Sequence, residues 1–385
     1  MSKWEWKEFE DCIERVKYTT KIPSKDYLQE GEFPIVSQED CLISGYWNDR
    51  SDLFKVTKPI VIFGDHTKVL KYIDFDFVLG ADGVKILCPK DYLNAHFFFY
   101  FLKNVNFDNL GYARHYRLLK ELSVPIPPLS EQKRIVKFLD EEFSKIDTLK
   151  TNAETNLKNA KELFETTLEK ELNPLSRHSE RSEESRADLP TGWEWKKIGD
   201  FCETSSGGTP LKQHNEYYEN GNIPWLRSGE VCQKEIFETE MYITQKGMEN
   251  SSAKYFPENS VVVAMYGATA GQVGIVRFRT TTNQAVCGIF PNEKYKTEYL
   301  YYALLSKKKE LVAQAVGGAQ PNISQIKIRN LQIPLPPLSV QKEIVARLDK
   351  LSENVKRLEA NYKQIIADCD ELKKSILKKT FEGES

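Results

Sequence analysis

The stretch Pro125-Ile-Pro-Pro-Leu-Ser-Glu-Gln-Lys-Arg-Ile-Val returns as Pro334-Leu-Pro-Pro-Leu-Ser-Val-Gln-Lys-Glu-Ile-Val, an offset of 209 positions. A near-identity of this length, leading into a helix-forming run both times, constrains the chain to two copies of one unit. The repeat extends further. Trp4-Glu-Trp-Lys matches Trp193-Glu-Trp-Lys at offset 189, and Ile60-Val-Ile-Phe-Gly matches Val263-Ala-Met-Tyr-Gly at offset 203. The run Tyr92 to Leu102 matches Tyr295 to Leu305 at the same 203. The offsets only grow, so the second copy carries insertions in its loops and keeps the order of elements. A doubled unit points to a two-part ligand.

Each copy reads as a short α+β domain followed by one long helix. In the first, Lys58 to Gly64 is a buried strand ending at a glycine, and Phe75 to Leu87 gives two short strands about a turn at Gly80 to Gly83. Tyr92 to Asn104 is apolar and aromatic enough for a buried helix. The second copy repeats the order, with Val261 to Met265, Gly271 to Phe278 and Ala285 to Phe290 as strands and Thr297 to Lys309 as helix. The proline runs punctuate, because proline fixes φ and cannot continue a strand ladder. Ser130 and Ser339 then stand where a helix N-cap belongs. The helices expected from them, Ser130 to Leu172 and Ser339 to Phe381, would each be roughly 65 Å long at ~1.5 Å per residue.

The second long helix carries a seam of threes and fours: Leu348, Leu351, Val355, Leu358, Tyr362, Ile365, Cys369, Leu372 and Ile376. At offset 209 the first helix places Leu139, Glu142, Ile146, Leu149, Ala153, Asn156, Ala160, Leu163 and Thr167. Its seam is weaker, with Glu142 and Asn156 at positions where apolar residues are expected. Two equal rods in one chain pair most simply with each other, antiparallel, as a coiled coil. The expected domains are 1–129, a long helix 130–172, a flexible Ser/Glu/Arg-rich linker 173–190, a second domain 191–338 and a long helix 339–385.

Composition narrows the function. The chain has 385 residues, a net charge of −2 and seven scattered cysteines with no Cys-x-x-Cys pair. A near-neutral balance counts against a stand-alone nucleic-acid binder. Neither a disulfide framework nor a zinc site is supported, and a reducing cytoplasm fits best. No apolar run approaches the ~20 residues of a membrane span, and the N-terminus lacks a signal-peptide core. Gly267-Ala-Thr-Ala-Gly-Gln-Val-Gly lacks the Lys-Ser/Thr of a phosphate-binding loop and reads as a hairpin turn. No nucleophile elbow occurs, the five histidines show no metal spacing, and Asn173-Pro174 continues to Leu175, not to the Pro-Tyr/Phe that amino-methyltransferases use.

Two variable domains, each followed by a proline-rich turn and a helix opening Leu-Ser-x-Gln-Lys-x-Ile-Val, resemble the specificity subunit of type I restriction–modification systems. The resemblance covers nearly the whole chain. It is carried by Pro127-Pro-Leu-Ser-Glu-Gln-Lys, Pro336-Pro-Leu-Ser-Val-Gln-Lys, Tyr266-Gly-Ala-Thr-Ala-Gly, Thr282-Asn-Gln-Ala and Gln320-Pro-Asn-Ile-Ser. The first domain has Gly80-Ala-Asp-Gly-Val in place of Thr-Asn-Gln-Ala.

The resemblance implies a fold of two pseudo-repeated α/β target recognition domains joined by two long antiparallel helices. It implies that each domain reads half of a bipartite double-stranded DNA site. The helices would set the unread spacer and dock two methyltransferase subunits that methylate adenine N6, and restriction/translocase subunits would join. S-adenosylmethionine, ATP and Mg²⁺ would belong to those partners, and this chain would hold no cofactor and catalyse nothing. Loop side chains expected at DNA are Lys21, Lys25, Arg114, His115 and Arg117, and Lys212, Arg227, Gln272, Gln320 and Asn322. The Ser205 to Pro210 and Gly317 to Asn322 loops are expected to bring backbone near phosphate. The residues themselves leave other readings open: a specificity subunit of a related restriction system, a coiled-coil scaffold that binds proteins, or a nuclease or methyltransferase with a divergent site.

Overall fold

The computed structural model describes residues 4–81, 83–106, 114–173, 190–313 and 322–382. The expected linker, but for its two ends, lies outside them. The chain divides into two compact units. One runs to Thr155 and takes in the chain from Tyr362 onward, and the other is Asn156–Asn361.

In the first unit, one four-stranded sheet has the order Ile13–Glu14, Val84–Pro89, Ile60–Gly64, Leu70–Ile73. A second has the order Gly45–Trp47, Phe33–Val36, Phe77–Leu79, Leu53–Phe54. Every residue of Ile60–Gly64 is buried. Side chains alternate across a strand, so both faces must be covered. Val61 and Phe63 enter the cluster with Phe97, Phe98 and Phe101 of helix Ala95–Asn104. Ile60 and Ile62 enter the cluster with Val36, Phe77 and Leu79 of the second sheet. Each such burial contributes about 1.5–3 kcal/mol. The second unit repeats the scheme: Val261 and Val263 face the helix side, and Val262 and Ala264 face Leu226, Phe256 and Val286. The strands on either side of the Gly80 to Gly83 turn do not pair with each other. Phe77–Leu79 runs parallel to Phe33–Val36, and Val84–Pro89 pairs with Ile60–Gly64.

The two sequence signatures pair with one another. Glu5–Glu8 is antiparallel to Ser123–Ile126, with Trp6 opposite Pro125, and Glu194–Lys197 to Gln332–Leu335, with Trp195 opposite Pro334. The first proline of each run therefore does sit in a strand, contrary to the expectation that these runs only punctuate. Both sheets are two-stranded, so the missing N–H can face the side that has no neighbour.

The long helices are Leu129–Leu172 and Leu338–Glu382. Ser130 and Ser339 lie one residue inside them, not at the N-cap. The carbonyls of Pro128 and Pro337 accept the first helical N–H groups, from Gln132 and Gln341.

The motif's glutamine explains why the signature is so particular. Gln132 is fully buried. Its Oε1 accepts from Asn94 N at 2.7 Å, and its Nε2 donates to Tyr92 O at 2.9 Å and Pro127 O at 2.8 Å. Gln341, also fully buried, accepts from Lys296 N at 2.8 Å and donates to Pro336 O at 2.8 Å and Lys294 O at 3.4 Å. One side chain thus joins the start of the domain helix, the proline turn and the long helix. About two turns on along each long helix, Tyr100 Oη donates to Asp140 at 2.6 Å and Tyr302 Oη to Asp349 at 2.6 Å. Burial, then the facing carboxylate, pushes both phenols well above their ordinary pKa.

The long helices pair antiparallel within each unit. Lys150 bonds Asp370 at 2.7 Å and Lys373 bonds Asp147 in the first, and Arg347 bonds Glu171 at 2.9 Å in the second. Such exposed ion pairs set register more than stability. The seam of the first helix differs from the one expected. Leu139, Ile146, Ala153 and Ala160 are buried as expected, but the intervening positions are Phe143, Leu157, Phe164 and Leu168, one residue beyond those proposed. Glu142 is half-buried, Asn156 is exposed, and Leu149 and Leu163 are 50% and 56% exposed. On the second helix Leu348 and Val355 are buried, and Leu351 and Ile365 half-buried, while Leu358 and Leu372 are 39% and 47% exposed. The physical reason is that a three–four alternation anchored every seventh residue has two solutions. The large rings of Phe143 and Phe164 select the other one.

Candidate nucleic-acid interface

In the second unit five loops converge at one end of the sheets. Gly208 N donates to Thr282 O at 2.9 Å, Asn283 N to Leu226 O at 3.0 Å, and Ile323 N to Met265 O at 2.9 Å. Thr269 Oγ1 donates to Ser228 O at 3.1 Å, and Trp225 Nε1 to Gly208 O at 2.9 Å. Thr209 bonds Gln284, and Ser206 bonds Gln325. The strands Val261–Ala264 and Val273–Val276 are antiparallel, as the hairpin reading of Gly267 to Gly274 requires. Gly267 has φ 76°, a left-handed conformation that glycine adopts without strain. The loop cluster presents exposed Tyr266, Ala268, Gln284 and Asn322.

Gly207 is held by contact instead. A Cβ there would lie 2.1 Å from both Thr282 O and Thr282 Oγ1. Replacing Gly207 by alanine is expected to push the Ser206 to Pro210 loop off the Thr282–Asn283 backbone and to destabilise the second unit by about 2–3 kcal/mol. Thermal melting measures the loss. An unchanged melting temperature would show that the loop yields freely.

The first unit builds the same framework from other residues. Ile22 N donates to Leu79 O at 2.9 Å, Gly80 N to Val36 O at 2.9 Å, and Asp65 N to Gly83 O at 2.7 Å. Gln38 clamps the hairpin tip, its Oε1 accepting from His66 N at 3.2 Å and its carbonyl from Thr67 Oγ1 at 2.5 Å. Ala81 N donates to Tyr27 Oη at 3.0 Å. The adjoining loop closes on Lys71, whose Nζ donates to Ser37 O at 2.8 Å and Cys41 O at 2.5 Å. Burial lowers the pKa of that ammonium.

Most of the expected DNA residues lie on or beside these loops. Lys21 and Lys25 are exposed near the Leu79–Gly80 turn, Arg114 is exposed, and Arg117 is exposed on helix Tyr116–Lys120. Lys212 is exposed beyond Pro210. His115 is a correction: it is 1% exposed, with Nδ1 3.0 Å from Asp65 O, and belongs to the core under the loops. Arg227 is half-buried and ion-paired with Glu230 and Glu240, so its charge is matched inside the protein. Gln272 is half-buried in the hairpin. Gln320 lies outside the described residues.

Sequence reasoning missed Gln38, Thr67 and Gln284 as members of the loop clusters, whereas Thr209 lies in the Ser205 to Pro210 loop, as expected. For Gln284 a signal existed, since Asn283 follows Thr280–Thr282 as Gly80 follows Phe77–Leu79, at the same offset of 203. For Gln38 none did, because its partners His66 and Thr67 are distant in the chain. Among the described residues no group of three or more His, Cys, Asp or Glu is placed to hold a metal ion, and no helix is long and apolar enough to cross a membrane.

Known proteins resemble this chain in sequence and in fold. The chain is 27% identical to the type I restriction enzyme EcoR124I/EcoR124II specificity subunit of Escherichia coli, covering 87% of this chain and 82% of that one. It is 24% identical to the MjaVIII specificity subunit of Methanocaldococcus jannaschii over 99% of this chain and 92% of that one. Its fold resembles the HsdS subunit of Thermoanaerobacter tengcongensis, with a TM-score of 0.58 at 19% identity over 100% of this chain and 98% of that one. A chain solved in a study of complex assembly and conformational transition of the type I R-M system gives a TM-score of 0.75, also at 19% identity, over 100% of this chain and 99% of that one. The type I restriction modification DNA specificity domain matches residues 1–159 and 190–367, once in each half of the duplication, and the chain therefore belongs to that family.

Proposed function

We propose that this chain gives a restriction–modification complex its DNA sequence specificity, each unit reading one half of a bipartite duplex site. The observation that carries this reading is the pair of loop clusters. The two units share the backbone framework that positions the loops, with Thr67 and Thr269 each donating to a loop carbonyl, of Gln38 and of Ser228, yet other positions of the frame hold different residues: Gln38, Gly80 and Arg114 in one, and Ser228, Asn283 and Asn322 in the other. A common frame with different contents is what two different half-words require, since base edges are told apart by donor and acceptor pattern.

In this reading the long helices set the unread spacer and carry two methyltransferase subunits. Support for two equivalent docking places comes from the exposed leucines. Leu149 and Leu163 on the first helix recur as Leu358 and Leu372 on the second, at offset 209. Each unit then has one from each helix. S-adenosylmethionine, ATP and Mg²⁺ belong to the partners, restriction/translocase subunits join them, and this chain contributes no chemical step. The near-neutral charge assigns much of the phosphate attraction to the partners as well.

Exchanging residues 1–128 for the matching segment of a relative tests the division of labour. Mapping methylated adenines across the genome should show one half-word replaced and the other kept. A swap that changed both halves, or neither, would sink the modular reading.

A further inference from the structure

We propose that Arg114 and Asn322 occupy the same reading position in the two units with opposite base preference, Arg114 taking a guanine in one half-site and Asn322 an adenine in the other. The inference rests on the DNA-reading function and narrows it to one position in each half.

The equivalence is one of backbone geometry. In the first unit His115 N donates to Asp65 O at 2.7 Å, and Asp65 N in turn donates to Gly83 O at 2.7 Å. In the second, Ile323 N donates to Met265 O at 2.9 Å, and Met265 N to Ala285 O at 2.7 Å. His115 and Ile323 are both buried, so each pins the chain beside the hairpin tip. A short helix follows each pin, Tyr116–Lys120 and Gln325–Asn330. The segments then end alike, with Leu122 O accepting from Phe9 N at 3.0 Å and Leu331 O from Ile198 N at 3.1 Å. The residue just before the pin is therefore the same place in both frames. Arg114 and Asn322 stand there, both exposed. Neither side chain is held by a hydrogen bond or ion pair among the described residues. Asn322 lies on the bridge to Tyr266 at the edge of the hairpin.

The side-chain chemistry differs in kind. A guanidinium offers only donors, in a planar fork, and matches the paired acceptors O6 and N7 of guanine. A carboxamide offers a donor and an acceptor together and matches N7 and N6–H of adenine. Adenine's N6–H₂ opposes a guanidinium, and guanine's O6 opposes an amide oxygen. The competing role for Arg114 is a phosphate contact, which a guanidinium also fits and which would carry no sequence information.

The test uses the full chain assembled with its methyltransferase partner, bound to a pool of randomised duplexes whose retained fraction is sequenced. Arg114→Gln should weaken preference for one guanine roughly five- to a hundred-fold, or move it to adenine, in one half-word only. Asn322→Arg should turn one adenine of the other half-word to guanine. Arg114→Lys keeps the charge and should lower the guanine preference while retaining overall affinity. A preferred word that the variants leave intact would overturn the assignment alone. So would an even loss of affinity across all sequences with a shallower salt dependence, the mark of a phosphate contact. A wild-type complex with no preferred word would overturn the DNA-reading function and this assignment with it.

Discussion

Replacing Gln341 by leucine is expected to destabilise the second unit by about 3–5 kcal/mol. The side chain is fully buried and serves the N–H of Lys296 and the carbonyls of Pro336 and Lys294. Leucine fills a similar volume but leaves those groups without partners, at ~1–3 kcal/mol for each one that stays dry. In a domain of this size that lowers the melting temperature by roughly 10 °C. Gln132→Leu should do the same to the first unit through Asn94, Tyr92 and Pro127. Glutamate at either position keeps the acceptor and loses the donor, so it should fall between glutamine and leucine. Differential scanning calorimetry on the full chain measures all four variants. If the leucine variants melted like the parent, the glutamine would be a passenger in the motif and not its pin.

Aspartate at Leu149 together with Leu358 is expected to abolish the assembly of the chain with methyltransferase subunits while leaving the chain itself folded. These two leucines are equivalent in the duplication and lie 50% and 39% exposed, so the chain alone loses little by the change. A docked partner would cover them, and each buried leucine contributes about 1.5–3 kcal/mol. A carboxylate desolvated in its place costs several kcal/mol more. The loss per site should exceed about a hundredfold in affinity. The single variant Leu149→Asp should leave one partner bound and the other lost. Sedimentation of the mixture with methyltransferase subunits reads the stoichiometry directly. Full assembly by the double variant would move the docking place elsewhere on the chain.

The sequence made the duplication legible because a repeat needs no knowledge of folding. Strands such as Ile60–Gly64 and Val261–Ala264 were legible because continuous apolar runs of that length bounded by glycine or turns have few alternatives. The phase of the first helix's seam was not. Leucines at 149 and 163 matched the second helix's apolar repeat, and nothing local says that Phe143 and Leu157 displace their neighbours. His115 looked like a loop histidine among basic residues. Its burial depends on Asp65, fifty positions away, whose carbonyl accepts its N–H. Arg227 looked like a free cation; of its two carboxylate partners Glu230 is only three residues on, but Glu240 sits beyond an intervening strand. Such pairings belong to the folded frame, and one chain read alone does not contain them.

The tail of the second helix has a consequence in time. Phe381 packs with its ring 5.3 Å from that of Phe97 and 5.8 Å from that of Phe101, inside the first unit's core, alongside Cys369 and Leu377. Those residues leave the ribosome long after their neighbours on helix Ala95–Asn104, because the whole second unit, Asn156–Asn361, lies between them in the chain. At ~5–20 residues per second that helix waits for Phe381 for roughly fifteen to fifty-five seconds, with phenylalanine rings facing water. The unit begun first is thus completed only after the chain of the second has been made. During synthesis, chaperone occupancy should concentrate on that aromatic helix, and release should follow the arrival of Phe381.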